Sequence, residues 1–283
     1  MTNALSFDVE EYFCVSNFED FIVREEWEFF PSRVEKQTDK VLSLLNGAKV
    51  KATFFILGWA ARNHPDLVKR IFREGHEIGA HSWDHRLIYT QSPEEFRLDV
   101  RKTKKRLEDI TGSEVKGYRG TSFSIIRESL WALDILQEEG FKYDSTIFPV
   151  VHSRYGIADS PRHPYPIRSE GEKVMWEFPL TTFNIGFYNL PVSGGGYMRV
   201  LNYTFLKWIL NRVTRREKSP FVLYMHPWEF DPGQPIPERI PYHRRLRHTI
   251  GIRTMEKKLK QLLRDFQFAP IKDVLRDHFN ADI

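Results

Sequence analysis

Apolar positions along the chain follow two spacings in turn, one suited to strands and the other to helices. Ala4-Leu-Ser-Phe-Asp-Val9 reads as a first buried strand, with Asp8 and Glu10 at its exit. Val34, Thr38, Val41, Leu42 and Leu45 then keep helical spacing as far as Gly47, placed where a C-terminal left-handed residue belongs. Val50 to Leu57 predicts a second strand. Leu67, Val68, Ile71 and Phe72 form the stripe of the next helix, which stops at Gly75. The strand ending at Ala80 hands over directly to His81-Ser-Trp-Asp-His85.

Ser92-Pro-Glu-Glu95 is a helix start, with Ser as cap, Pro at the first position and Glu95 closing a capping box. Phe96, Val100, Leu107 and Ile110 form its inward face up to Gly112, and the basic run from Arg101 to Arg106 is its solvated face. A strand from Val115 to Gly120, a helix marked by Leu130, Leu133 and Leu136, and a short strand from Phe141 to Asp144 follow. This alternation predicts an α/β fold, a parallel sheet with helical crossovers, open or closed into a barrel. In such sheets reactive groups gather at the carboxyl ends of the strands, where Asp8, Glu10, His81, His85 and Arg119 all fall.

The second half is less regular. Pro149 to Pro166 reads as loop, Val174 to Phe178 as a strand, and Gly194-Gly-Gly196 either as a tight turn or as backbone brought close to a ligand. Phe205, Leu206, Ile209, Leu210 and Val213 mark a helix, and Phe221 to Met225 a core strand with His226 at its end. Pro227 to Pro241 is too rich in proline for regular structure. The basic run Tyr242 to His248 reads as a solvated turn rather than a contact for an acidic or phosphate-bearing partner. Met255, Leu259, Leu262, Leu263 and Phe266 give a last amphipathic helix, docked on the body. The aromatics between Glu11 and Pro31 suit equally an excursion packed on the core and a lid bordering a sugar-binding cleft.

Composition narrows the class. At 283 residues, with 28% charged and 41% hydrophobic positions, the chain can bury one large core. A net charge of +4 without a nucleic-acid-binding motif argues against a nucleic-acid partner. Cys14 is the sole cysteine, so neither an intrachain disulfide nor a cysteine zinc site is available. No apolar run reaches the ~20 residues of a membrane span, and no secretion signal is evident, so a cytoplasmic protein is expected.

His81 and His85 stand four apart at a strand exit, where two imidazoles can converge on one metal ion. A carboxylate from elsewhere and one position open to water would complete such a site. Phe7-Asp-Val-Glu-Glu-Tyr-Phe13, the His81 to His85 motif, Gly117-Tyr-Arg-Gly120, Tyr143-Asp-Ser-Thr-Ile-Phe-Pro149, Ser193-Gly-Gly-Gly-Tyr197, His226-Pro-Trp-Glu-Phe-Asp-Pro232 and Arg245-Leu-Arg-His248 occur in that order. Together they resemble the polysaccharide deacetylases of carbohydrate esterase family 4, built on the NodB homology domain. Within that family the motifs are most similar to the subgroup found in exosortase (PEP-CTERM) exopolysaccharide clusters.

The resemblance implies a distorted (β/α) barrel with fewer than eight strands over residues 1–232, and a helical extension over 233–283 that docks on it. It also implies hydrolysis of N-acetyl groups on an amino-sugar polymer by a divalent metal ion, zinc by expectation. Carried onto this chain, it makes Glu10, His81 and His85 the metal ligands, Asp8 the base, Arg119 its partner, His226 the acid and Asp144 the group that keeps His226 protonated. The chain departs from the family at Val9, where an aspartate ligand is usual, at Gly120-Thr121 after the arginine, and in lacking a tryptophan soon after Asp144. Two other readings share this fold: an allantoinase- or cyclic-imidase-like hydrolase of small ring amides, and a glycan-binding barrel without turnover.

Overall fold

β1 (Thr2–Val9) is the axis about which the chain winds, and its residues from Asn3 onward are buried. A computed structural model describes residues 1–168 and 174–283. β2 (Thr53–Ile56), β3 (Glu77–Ala80), β4 (Gly117–Tyr118) and β5 (Tyr143–Asp144) follow β1 in parallel order. Beyond β5 lie β6 (Tyr165–Arg168), antiparallel at the edge, and β7 (Val174–Glu177), parallel to β5. β8 (Thr182–Asn184) and β9 (Asn189–Pro191) form a separate hairpin. β10 (Val222–Met225) returns to the other side of β1, and β11 (Gln267–Ala269) pairs with the start of β1.

Among the described residues the curled sheet has nine strands, in the order β10-β1-β2-β3-β4-β5-β7-β6 with β11 beside the start of β1; all but β6 run parallel, and the sheet curls into a distorted barrel. Its open side is bridged by loop backbone instead of another strand. Thr181 Oγ1 both receives the Val222 N–H (2.8 Å) and donates to the Val222 carbonyl (2.9 Å), and the Ser193 carbonyl accepts from Tyr224 N–H (2.8 Å). Gly194 pairs with Tyr224 in a parallel bridge, and a Cβ there would lie 2.0 Å from the Tyr224 carbonyl oxygen. Close approach of two backbones is therefore the use of the first glycine in the Gly194 to Gly196 run.

The helices marked by the stripes form, and a short one over Gly58–Asn63 that no stripe marked joins them. α1 (Val34–Ala48), α2 (Gly58–Asn63), α3 (Pro65–Arg73), α4 (Pro93–Thr111) and α5 (Trp131–Glu138) cross between the parallel strands. The Ser92–Glu95 capping box is present, with Ser92 N–H donating to Glu95 (2.8 Å) and Glu95 N–H to Ser92 (3.3 Å). Gly112 takes the left-handed cap at φ 67°. Gly47 lies inside α1, and the left-handed residue is Lys49 at φ 55°, because the buried stripe carries the helix past Leu45. The strand expected over Val115 to Gly120 shortens to the β4 pair, since the chain turns sharply after Arg119.

α6 (Gly195–Val200), α7 (Tyr203–Arg216), α8 (Tyr242–Thr249), α9 (Ile252–Asp265) and α10 (Ile271–Phe279) complete the chain. The basic run is α8, a helix with His248 buried, rather than the solvated turn expected of it. α10, unforeseen beyond α9, stops the lower mouth of the barrel with Ile271, Val274 and Leu275. Its first turn is held by buried side chains of the sheet: Ile271 N–H donates to Thr53 Oγ1 (2.8 Å) and Lys272 N–H to Glu77 (3.3 Å). An acid at a helix N-terminus also suits the helix dipole.

Small and large residues alternate inside the barrel. A Cβ on Gly79 would meet the Phe55 ring at 2.5 Å, and one on Gly117 would meet the Tyr143 ring at 2.2 Å. These rings fill the layer directly beneath the strand ends. Gly117→Ala should therefore lower unfolding stability by about 1–3 kcal/mol through overpacking. A denaturant midpoint equal to the parent's would disprove this account of the layer.

Candidate active site

Strand register brings the titratable groups to one level. Val9 pairs with Ile56, Ile56 with Ala80, Ala80 with Tyr118, and Tyr118 with Asp144. The next residue along these strands gives Glu10, His81, Arg119 and Ser145, all at the carboxyl rim. Asp8 shares the inward face of Glu10 two residues earlier. Phe7 pairs with Met225, so Asp8 stands level with His226.

Glu10, His81 and His85 are buried, and one ligand atom from each lies within 4.8 Å of the others. Nδ1 of His81 lies 2.7 Å from the Arg119 carbonyl, which can only accept, so Nδ1 carries the proton and Nε2 keeps its lone pair. Burial holds the pKa of His81 below its ordinary value, in the neutral form a metal requires. His85 reaches the group from a left-handed conformation (φ 60°), with Ser82 likewise left-handed (φ 56°). Buried Asp99 anchors this loop by accepting from the Trp83 N–H at 3.0 and 3.1 Å.

Glu10 Oε2 is buried without a hydrogen-bond donor, although His85 Nε2 is only 2.9 Å away and His81 Nε2 3.9 Å. Two imidazole nitrogens and an orphaned carboxylate oxygen facing one point are a donor set that fits a divalent cation. Burial works against ionisation of Glu10, but the neighbouring His85, with His226 and His81, holds it at about 2.

Beside this group, Arg119 is fully buried with its guanidinium 4.3 Å above the Phe55 ring. It donates to Asp8 Oδ1 (2.8 Å), Ser6 Oγ (2.7 Å), the Ser145 carbonyl (3.0 Å) and Ser145 Oγ (2.9 Å). One carboxylate oxygen of Asp8 is thus fixed, while Oδ2 faces His226 Nε2 at 3.9 Å. His226 Nε2 also stands 3.7 Å from Glu10 Oε1.

The hydrogen bonds of Asp144 run to Thr146 and not to His226. Asp144 accepts from Thr146 Oγ1 (2.6 Å) and the Thr146 N–H (3.1 Å) and stands opposite the buried carboxyl of Glu177, its register partner. Burial raises both of these carboxyls. The carboxylate on His226 is Glu229, 3.3 Å from Nδ1, which also accepts the His226 N–H at 3.0 Å. Burial disfavours the imidazolium of His226, but Glu229, Glu10 and Asp8 outweigh it and raise the pKa to about 9. Arg199 Nε backs Glu229 at 3.0 Å, and Trp228 stacks between His226 and His248 with centroids 4.9 and 4.4 Å away. Sequence reading missed Glu229, yet His226-Pro-Trp-Glu229 has the same spacing as the capping box Ser92-Pro-Glu-Glu95.

These groups open into a cleft of about 430 Å³. Tyr12, Phe13, Phe18 and Trp27 are packed in the core, so most of the Glu11 to Pro31 rings do not border it. The segment instead contributes Val15, Ser16 and Asn17. Glu11, next to Glu10, instead caps the start of α1 through the Arg33 and Val34 N–H groups. The far wall holds Ser122 and Phe123, both left-handed (φ 49° and 56°), a strained pair of the kind found at functional sites.

Residues 18–143 match the polysaccharide deacetylase family, and residues 145–276 match a domain of unknown function, DUF3473. The peptidoglycan-N-acetylglucosamine deacetylase PgdA of Listeria monocytogenes is 47% identical over 75 residues, 26% of this chain and 16% of the relative. A peptidoglycan-N-acetylglucosamine deacetylase of Bacillus cereus is 38% identical over 98 residues, 34% of this chain and 36% of the relative. The chain spans about a sixth to a third of the length of these curated relatives. A Mycobacterium smegmatis structure assigned to the polysaccharide deacetylases superposes with a TM-score of 0.65 at 18% identity, covering 98% of this chain and 89% of that one. PuuE allantoinase superposes with a TM-score of 0.61 at 15% identity, covering 99% and 90%. At such identities the structural matches establish the fold alone.

Proposed function

We propose, from a chain that belongs to the polysaccharide deacetylase family over residues 18–143, that this protein is a metal-dependent hydrolase of N-acetyl groups on a glycan. The observation that carries the reading is the convergence of Glu10, His81 and His85 beside the Asp8–Arg119 pair and His226. Glu10, His81 and His85 would hold the divalent cation, with zinc as the proposed metal. When bound there, such an ion polarises an acetyl carbonyl and lowers the pKa of water, the two demands of a poor amide electrophile.

The chain's own residues do the proton work. Asp8 accepts the proton of the attacking water on Oδ2, because Arg119 occupies Oδ1 and holds the carboxylate in place. His226 gives a proton from Nε2 to the departing amine, with Nδ1 turned to Glu229. The buried rings beneath Asp8 and around His226 keep bulk water from competing.

His226→Ala should cut kcat on an N-acetyl amide by about 10²–10⁴-fold and affect an activated ester far less, since its leaving group needs no proton. Glu229→Gln should follow the same pattern with a smaller loss. Equal losses on amide and ester would reduce His226 to a structural residue.

The most decisive experiment is elemental analysis of the purified protein together with acetate release from N-acetylglucosamine oligosaccharides. Allantoin in the same panel tests the ring-amide alternative, which shares the fold, and bound metal without any turnover would favour a binding role. A place in exopolysaccharide biosynthesis and in the cytoplasm belongs to the proposal, and cell fractionation tests the second. Among the described residues no helix is long and apolar enough to cross a membrane.

A further inference from the structure

Four arginines line the active-site cleft: Arg154, Arg199, Arg244 and Arg247. Three are committed to carboxylates, Arg154 to Glu19, Arg199 to Glu229 and Arg244 to Asp20. Arg247 has no carboxylate partner among the described residues. It projects from exposed surface of α8, while its carbonyl accepts from Arg199 (3.4 Å) and ties that turn to the His226 side of the site. It lines the cleft together with His152 and Tyr155. His152 stacks on Tyr155 with ring centroids 3.8 Å apart, and the Tyr155 hydroxyl meets that of Tyr197 at 3.1 Å, so the surroundings are rich in hydrogen-bonding groups.

The acids of the cleft lining are Asp8 and Glu10, both occupied at its centre. The mouth therefore presents one uncompensated guanidinium beside hydroxyl and imidazole groups, while nearby cations are neutralised. A guanidinium in that setting suits an oxyanion, to which it can donate two parallel hydrogen bonds. We infer that Arg247 forms a specificity subsite for an anionic group, a carboxylate or phosphate, on the sugar adjoining the N-acetylated one. The inference rests on the deacetylase reading and adds the class of glycan: acidic rather than neutral.

The test compares three substrates for acetate release: an N-acetylglucosamine tetrasaccharide, a tetrasaccharide alternating glucuronate with N-acetylglucosamine, and an N-acetylglucosamine oligosaccharide bearing a phosphate monoester. The protein should prefer one of the charged sugars, and which one identifies the oxyanion. Arg247→Gln should lower kcat/KM on that sugar relative to the neutral one by about 10- to 100-fold, the worth of a charge-assisted hydrogen bond. The loss should lie in KM, and Arg247→Lys should restore part of it. An unchanged ratio in Arg247→Gln would overturn the subsite.

Calorimetric binding of the same three sugars separates the two levels of the argument. If no sugar releases acetate but a charged one still binds more tightly through Arg247, the deacetylase reading fails and the subsite stands. If neither charged sugar binds more tightly than the neutral one, the subsite fails whatever the turnover.

Discussion

His81→Ala or His85→Ala should yield a folded protein that binds no stoichiometric metal and releases no measurable acetate. Each variant deletes one of two imidazoles whose ligand nitrogens face the orphaned Glu10 Oε2. Removing an outer-shell partner of a metal site already costs about 10–100-fold, so loss of a ligand should exceed that. The fold should survive because neither ring belongs to the apolar clusters, and the loop keeps its anchor from Asp99 to the Trp83 N–H. Elemental analysis beside a thermal unfolding curve checks both halves of the expectation. Full metal occupancy in either variant would show that the ligands lie elsewhere.

Asp8→Asn should keep its metal and lose about 10²–10⁴-fold in turnover, the usual contribution of a general base. Glu10→Gln should show the opposite balance, with weakened metal binding. Asp8→Asn carries a structural cost that must be read separately. Arg119 is fully buried, and removing its counter-charge leaves it held by Ser6, Ser145 and the Phe55 and Tyr224 rings. Breaking a buried pair in this way costs about 3–5 kcal/mol, so stability should fall as well as activity. The activity loss is therefore measured well below the variant's own melting temperature. Were Asp8→Asn to lose metal and Glu10→Gln to keep it, the two carboxylates would exchange roles.

Much of this architecture was legible because it is written in local spacing. The Ser92 capping box, the stripe of α4 and the strand character of β1 each depend on residues within a few positions of one another. The placement of Asp8, Glu10, His81, Arg119 and His226 at strand ends was readable for the same reason: each sits where a strand-like run stops. Glu229 was just as local, three residues after His226, and was available to the reasoning that found Ser92 and Glu95. The helical nature of the basic run was hidden by its polarity, since α8 buries His248 against Trp228 and Phe18 and has no apolar stripe of its own.

Spacing along the chain determined which residues share a face and where each strand ends, because backbone geometry repeats over two or three and a half residues. Which faces meet was decided by the tertiary structure alone. Asp144 stands opposite Glu177 because β5 and β7 pair in that register, and its hydrogen bonds go to Thr146. Among the described residues Arg247 has no carboxylate partner, because Glu19 and Asp20, more than two hundred positions before it in sequence, fold onto Arg154 and Arg244. Such pairings depend on strand register and chain closure over long separations, which no local period encodes.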